Sequence, residues 1–123
     1  MKRFLFLLLG FSSFILTMSA DDTVAAINLQ HKRPDNHIQY FIPADQPDVY
    51  YDSTDQTIII DGGGAVSYYD VEIAPVSSSV PVISTQVSGY YDSIDVSSLS
   101  ATVYVITIYS PTGNEFEGFF EIE

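Results

Sequence analysis

Apolar and polar residues alternate with a period of two along most of the chain after residue 47. In Ser67–Ala74, for example, Tyr69, Val71 and Ile73 are apolar and the two residues between them are acidic. Such alternation places every second side chain on the same face of an extended β-strand. The pattern therefore predicts strands that each turn one face toward a core.

Turn-forming residues separate these alternating segments. Gly62–Gly64 separates two of the segments. Ser110–Gly113 separates two others and has Pro at its second position and Gly at its fourth, as a type I turn prefers. The predicted strands are Asp48–Asp52, Gln56–Asp61, Ser67–Ala74, Val80–Val87, Tyr90–Val96, Thr102–Tyr109 and Glu115–Ile122. This spacing predicts an all-β fold, an immunoglobulin-like or fibronectin-like antiparallel β-sandwich of about seven strands, with a small barrel as the alternative.

The inward-facing positions of these strands predict the core. Gly118 interrupts the inward row of the last strand, which predicts a β-bulge there. The expected core residues are Tyr51, Ile58, Ile60, Tyr69, Val71, Ile73, Ile94, Leu99, Tyr104, Ile106, Ile108, Phe116, Phe120 and Ile122.

The first twenty residues have a different pattern. Lys2 and Arg3 precede an apolar run over Phe4–Thr17, and small residues follow it up to Ala20. This arrangement is typical of a cleaved secretory signal peptide, and the run is short for a membrane span. We therefore expect residues 1–20 to direct export to the periplasm or the extracellular space, with no membrane insertion after cleavage.

Residues 21–46 are an N-terminal segment with a possible first strand over Thr23–Leu29. His31–Asn36 is predicted to be a polar loop, and His37–Ile42 a short edge strand that Pro43 ends. Residues 47–123 are then the core of a single domain.

The charge balance is strongly acidic. The chain has 16 Asp and Glu against 4 Lys and Arg, and loss of Lys2 and Arg3 with the leader makes the formal net charge of −12 more negative still. Such a surface repels phosphate backbones and anionic lipid, so the composition argues against a nucleic-acid partner. The chain has no Cys, so an exported domain must here be stable without disulfides.

The C-terminal part carries a family resemblance. Ile94–Leu99, Tyr104–Ile108, Gly113 and Phe116–Ile122 resemble the closing strands of small secreted immunoglobulin-like domains from Gram-negative gut anaerobes, of the kind in domain of unknown function family 3244. The resemblance covers about residues 47–123. It implies a signal peptide followed by one sandwich domain, and it brings no activity, substrate or catalytic residue.

One position departs from the pattern of that family. Such domains usually place Gly shortly before the strand tyrosine, whereas Ser100–Val103 precedes Tyr104 here. Tyr104 is still expected to act as a tyrosine corner, with its hydroxyl bonded to the backbone near Leu99.

The residue types in the chain give little support for a catalytic function. Nucleophilic catalysis needs a hydroxyl or thiol within hydrogen-bond reach of a base. The chain lacks Cys, its two imidazoles are His31 and His37 in the N-terminal segment, and no Gly-x-Ser-x-Gly sequence occurs. The two His and Asp35 do not have the spacing of zinc ligands. We expect no enzyme, no cofactor and a monomer.

Two binding hypotheses stay open beside ordinary packing. The turns concentrate carboxylates that could hold calcium, at Asp52, Asp55, Asp61, Asp92 and Asp95. Three Tyr-Tyr-Asp sequences begin at Tyr50, Tyr68 and Tyr90, and exposed rings there could contact a ligand. The predicted function is an exported, non-enzymatic interaction module at the cell envelope, with an unknown protein or glycan as partner. The alternatives are a carbohydrate-binding module that uses exposed Tyr and a calcium-stabilised adhesion-type domain.

Overall fold

The computed structural model describes residues 23–32 and 43–123, and the predicted signal peptide lies outside these residues. Nine strands run through the described chain, and every pairing between them is antiparallel. No helix within those residues has the length and apolar character needed to cross a membrane. The strands are β1 (Val24–Ile27), β2 (Gln30–Lys32), β3 (Asp48–Asp52), β4 (Thr57–Asp61), β5 (Tyr68–Pro75), β6 (Ile83–Ser88), β7 (Tyr91–Asp95), β8 (Thr102–Tyr109) and β9 (Glu115–Ile122).

The strands form two sheets that pack face to face. The four-stranded sheet has the order β1-β3-β4-β7, and the five-stranded sheet has the order β2-β9-β8-β5-β6. The chain leaves the first sheet after Ile27 and enters the second at Gln30, so the sandwich includes described residues on both sides of Pro47. The predicted all-β antiparallel sandwich is confirmed.

The core lies between the two sheets, where the inward residues of each strand meet. All of the predicted core residues are buried except Tyr51 and Leu99, which are partly buried and pack against the core. Tyr51 contacts the ring of Phe120 with 5.5 Å between ring centroids. Ile27, Val49, Val87 and Val96 are buried there as well.

Strand β2 corrects part of the sequence prediction. His31 and Lys32 belong to this strand rather than to a polar loop, because Gln30–Lys32 pairs with Glu115–Glu117 of β9. The amino group of Lys32 lies 3.7 Å from a carboxylate oxygen of each of these two Glu. The rest of the predicted loop and the edge strand predicted over His37–Ile42 lie outside the described residues.

The fourth predicted strand also begins later than expected. Val80–Val82 precedes β6 because the chain is still leaving a turn in which Ser79 has a φ of +64°. Pro81 has no N–H to donate to a ladder. The Val82 amide bonds to the Ile73 carbonyl at 2.8 Å, and all three side chains of Val80–Val82 are exposed.

The bulge predicted at Gly118 does not form, since β8 and β9 pair in continuous register from Thr102 to Tyr109. Gly118 has another role. A Cβ atom there would lie 2.7 Å from Ile27 Cγ2 and 3.0 Å from the Asn28 carbonyl oxygen. The absence of a side chain therefore lets the connection between β1 and β2 cross closely over β9.

Tyr104 forms the expected corner. Its hydroxyl donates a 2.7 Å hydrogen bond to the carbonyl of Ser100, one residue beyond Leu99. The ring is buried and stacks on Phe120 at 5.5 Å. The corner thus forms although no Gly precedes the strand.

Candidate functional site

The most connected polar group in the described chain is the carboxylate of Asp45, in the loop before β3. Ser110 and Asn114, at the two ends of the β8–β9 turn, donate to it at 2.7 and 2.9 Å, and the Thr112 hydroxyl donates as well. The Asp45 backbone carbonyl accepts a 2.8 Å hydrogen bond from the hydroxyl of Tyr69 in the core. We call this set the Asp45 network, and it fastens the loop to both the turn and the core.

His31 extends the Asp45 network toward strand β2. Its Nε2 lies 3.0 Å from Oδ1 of Asn114, so this nitrogen is the protonated one when the ring is neutral. The ring packs on Phe116 with 5.4 Å between ring centroids, and Nδ1 is buried with no hydrogen-bond partner among the described residues. The imidazole therefore connects β2 to the turn, and its hydrogen bond in this part of the chain goes to an amide oxygen rather than to a hydroxyl that it could activate.

The electrostatics of Asp45 indicate a structural carboxylate. Burial acts to raise the pKa of this group, but hydrogen bonds from Thr112, Ser110 and Asn114 outweigh burial and hold the pKa below its usual value. The carboxylate is thus ionised and accepts from two hydroxyls, which leaves Ser110 and Thr112 as donors rather than nucleophiles. Sequence reasoning missed this network, although the polar Ser-x-Thr-x-Asn spacing of the turn is visible.

The structure does not bring the five candidate calcium ligands together into one site. They lie at the β3–β4 turn, at the end of β4 and along β7, and within the described chain no three His, Asp, Glu or Cys side chains converge to hold a metal. Their oxygens are used locally. Backbone amides donate to four of them: Thr54 to Asp52 at 3.0 Å, Gly63 to Asp61 at 3.2 Å, Ser88 to Asp92 at 2.9 Å and Ser97 to Asp95 at 2.9 Å.

The three candidate tyrosines do not share one surface. Tyr50 pairs with Ile59 on the outer face of the four-stranded sheet, whereas Tyr68 pairs with Ser88 in the other sheet. Tyr90 lies in the turn before β7, where its carbonyl accepts from Gly62 and Gly63 and its ring lies against Gly64.

Tyr91, which the sequence did not single out, is exposed beside Tyr90. Its fractional exposure is 63%, and that of Tyr90 is 67%. Tyr90 precedes β7, so the alternation of that strand does not turn its ring toward the core. The ring lies against Gly64 instead. Tyr91 faces outward from β7, opposite Asp61 of β4.

A groove of about 500 Å³ runs between the neighbouring edges of β6 and β7. Its volume is in the range of small-molecule sites. Asp92 and Asp95 line it together with hydroxyl and aliphatic side chains. Both carboxylates already accept backbone amides, so they shape the turns at the two ends of β7 rather than mark a ligand.

Most of the large apolar side chains that are exposed in the described residues lie on or beside the outer face of the five-stranded sheet. Phe119 pairs with Val105, and Val105 pairs with Ala74, which forms one cross-strand row. In the next row the Val76 amide bonds to the Val103 carbonyl at 3.0 Å, and Val103 pairs with the exposed Glu121 of β9. We call this surface the apolar end of the sheet. It comprises Val76, Val103, Val105, Phe119, the adjacent Val80 and Val82, and Ala74, which is itself buried, and Glu121 borders it.

The opposite part of the same face is acidic. Glu115 pairs with Tyr109, which pairs with Asp70, and Glu117 pairs with Thr107, which pairs with Glu72. Burial raises the pKa of the Tyr109 phenol, and the negative charges of Glu72, Glu115 and Glu117 raise it further. We call the four carboxylates Asp70, Glu72, Glu115 and Glu117 the acidic end of the sheet.

Comparisons with known proteins support the fold. No protein-family model matches the sequence, and no curated protein matches it. A crystal structure of a DUF3244 family protein from Bacteroides vulgatus, described as having an immunoglobulin-like β-sandwich fold, is similar to this chain. Its TM-score is 0.64 at 14% sequence identity, and the match covers 81% of this chain and 99% of that one. The chain therefore has an immunoglobulin-like β-sandwich fold, as the sequence resemblance implied.

Proposed function

We propose that this chain is an exported, non-enzymatic interaction module at the cell envelope, and that its partner is a protein that packs on the apolar end of the five-stranded sheet. One observation supports the proposal most strongly. Five of the eight large apolar side chains exposed in the described residues lie in the apolar end, namely Val76, Val80, Val82, Val103 and Phe119.

The outer face of an antiparallel sheet is normally polar because it meets water. A contiguous exposed apolar patch is instead typical of a contact surface. Phe119 alone is 56% exposed. Complete burial of a Phe side chain is worth about 1.5–3 kcal/mol relative to full exposure, so a partner that covered this ring would gain a large part of that free energy.

Two further observations support the rest of the proposal. The basic start and apolar run of residues 1–20 favour export. The polar groups that could resemble a catalytic constellation are those of the Asp45 network, and there the hydroxyls donate to a carboxylate while the imidazole contacts an amide. A non-enzymatic role agrees with that use of polar groups.

Site-specific photo-crosslinking tests the protein partner. A photoreactive phenylalanine analogue at position 119 should form a discrete adduct in cells that make the protein. The matched control carries the analogue at Ser93, which is exposed on β7 of the other sheet. Absence of an adduct at 119, or equal adducts at 119 and 93, would argue against the apolar end as the contact surface.

Carbohydrate binding is the second candidate, and the joint exposure of Tyr90 and Tyr91 favours it. Two neighbouring aromatic rings in water beside the carboxylate of Asp61 offer stacking and hydrogen-bond acceptors to a sugar. A glycan array should then show binding that Tyr91→Ala removes and Tyr68→Ala, in the other sheet, retains. A parent protein that binds no glycan on the array eliminates this candidate.

A further inference from the structure

We infer that the partner of the apolar end is a cationic amphipathic protein segment, which places apolar side chains on Phe119, Val103 and Val76 and basic side chains on the acidic end of the same sheet face. This inference rests on the proposed function and specifies the chemistry of its partner.

The strand register makes the apolar and acidic ends one continuous surface. Phe119 and Glu117 are successive outward residues of β9, and Val105 and Thr107 are their neighbours on β8. Successive outward residues of a strand lie about 7 Å apart. Glu121 follows Phe119 on the same outward face of β9, opposite Val103. A single partner segment that lies along β9 and β8 would therefore meet the apolar side chains of Phe119 and Val105 with carboxylates on both sides of them.

Charge selects the partner class. Lys32 is the one Lys or Arg in the described residues, and it already lies against Glu115 and Glu117 at the edge of the sheet. Three negative side chains surround the phenol of Tyr109, whose hydroxyl lies 3.4 Å from Oε1 of Glu72. A neutral or acidic partner that docked here would desolvate these carboxylates without compensation, whereas Lys or Arg would pair with them.

A second copy of this chain fits this face poorly. In a two-fold dimer the same surface meets itself, so either acidic end faces acidic end or acidic end faces apolar end. Neither arrangement supplies cations to the carboxylates. Anionic lipid is disfavoured for the same reason.

A synthetic peptide provides a direct probe. We would titrate the protein with a fluorescently labelled amphipathic peptide of alternating Leu and Lys blocks, and with a matched peptide that has Glu in place of Lys. The Lys peptide should bind with 1:1 stoichiometry and weaken as salt rises, since exposed charges are screened over about 10 Å at 0.1 M salt. The Glu peptide should not bind.

Two pairs of variants test the two parts of the surface. Phe119→Ser should weaken binding of the Lys peptide by about tenfold, which corresponds to about half or more of the burial free energy of a Phe side chain. Val24→Ser, at an exposed apolar residue of the other sheet, should leave binding unchanged. Glu72→Gln with Glu117→Gln should weaken binding more than Asp48→Asn with Asp55→Asn, which removes as much charge elsewhere.

Each outcome decides between the two proposals. Equal losses from the two charge pairs, or no loss in Phe119→Ser, would mean that net charge alone attracts the peptide, and would overturn the inference. Sequencing of the segment crosslinked to position 119 separates this result from the proposed function. A crosslinked segment without Lys or Arg contradicts the cationic partner and leaves the protein contact intact, whereas no adduct at 119 removes the protein contact as well.

Discussion

The hydroxyl of Tyr69 donates a 2.8 Å hydrogen bond to the backbone carbonyl of Asp45. The ring of Tyr69 is fully buried between the sheets, and the side chain of Asp45 binds the β8–β9 turn. One contact therefore joins the core to the loop before β3 and, through the carboxylate of that loop, to the turn between the two longest C-terminal strands.

Acid should weaken the domain through Asp45. The pKa of this carboxyl is lowered in the folded state, so its contribution to stability is present above the unfolded pKa of about 4 and is lost as pH falls through the folded value. Asp45→Asn should lower the free energy of unfolding at pH 7 by about 1–3 kcal/mol, since it removes the charge from a set of hydrogen bonds. Such a carboxyl group titrates between about pH 5 and about pH 2. Over this range the stability of the variant should fall less than that of the parent.

Urea unfolding at a series of pH values measures this effect. Asp55→Asn is the control, because Asp55 is exposed at the β3–β4 turn. Equal acid sensitivity of Asp45→Asn and the parent would show that another group governs acid unfolding.

High pH should lower the stability of the domain because it ionises the phenol of Tyr69. Burial raises the pKa of its phenol, and the negative charge of Asp45 raises it further. A raised folded pKa means that the contribution is fully present below the unfolded value of about 10 and is lost as pH rises through the folded value. Tyr69→Phe should cost about 1–2 kcal/mol at pH 7 and should lose less stability above about pH 10 than the parent. Tyr90→Phe, at an exposed ring, provides the comparison, and a similar alkaline profile in both variants would contradict the assignment.

A methyl group at Gly118 should be poorly tolerated. Gly118→Ala would place Cβ 2.7 Å from Ile27 Cγ2, in the crossing between β1 and β2. We expect a loss of about 1–3 kcal/mol, as is typical of overpacking, although Ala normally suits a strand better than Gly. Ser93→Ala on the exposed side of β7 is a control without a steric conflict. Thermal unfolding that is unchanged in Gly118→Ala would mean that the crossing is loosely packed.

Removal of a like-charge pair should stabilise the four-stranded sheet. Asp48 of β3 lies directly opposite Asp61 of β4. Like charges in such cross-strand positions are unfavourable, and Asp48→Asn should therefore stabilise the domain by about 0.2–1 kcal/mol. Asp55→Asn removes the same net charge away from the pair, so a gain limited to Asp48→Asn identifies the local repulsion. The melting temperatures of both variants at low salt provide the measurement, and equal gains would indicate a general charge effect instead.

Calcium should not raise the melting temperature. Within the described chain no three ligating side chains converge, and four of the five candidate aspartates accept backbone amides. Melting with added Ca²⁺, with a chelator and with Mg²⁺ as the control for ionic effects should give the same midpoint. A rise specific to Ca²⁺ would restore the calcium-stabilised alternative.

Local periodicity was sufficient to predict most of the sandwich. The bounds of β3, β8 and β9 agree with the alternating segments, because each of these strands has one buried face and that face follows a period of two. The strand predicted over Val80–Val87 was wrong at its start. The apolar composition of Val80–Val82 resembles a strand, but a turn and Pro81 prevent pairing there. The β-bulge predicted at Gly118 was wrong because the glycine is needed for a close approach of the β1–β2 connection. That connection comes from the other end of the chain, where a local pattern cannot show it.

The functional surfaces were less visible in the sequence. Asp45 meets Ser110 and Asn114 across 65 and 69 positions, a distance that no local pattern records. Phe119 was predictable as an outward residue next to the inward Phe120. The apolar end became visible only when the register placed Phe119 beside Val105 and Ala74, with Val103 and Val76 in the next row.

The Asp45 network also bears on how the chain reaches its native state. Many exported domains depend on oxidation to lock a loop against a strand pair, whereas this domain closes the same kind of link with a carboxylate, two hydroxyls and an amide. With no thiol in the chain, folding has no oxidation step and no wrong pairings to be reshuffled. The fold is consequently indifferent to the redox state of its surroundings.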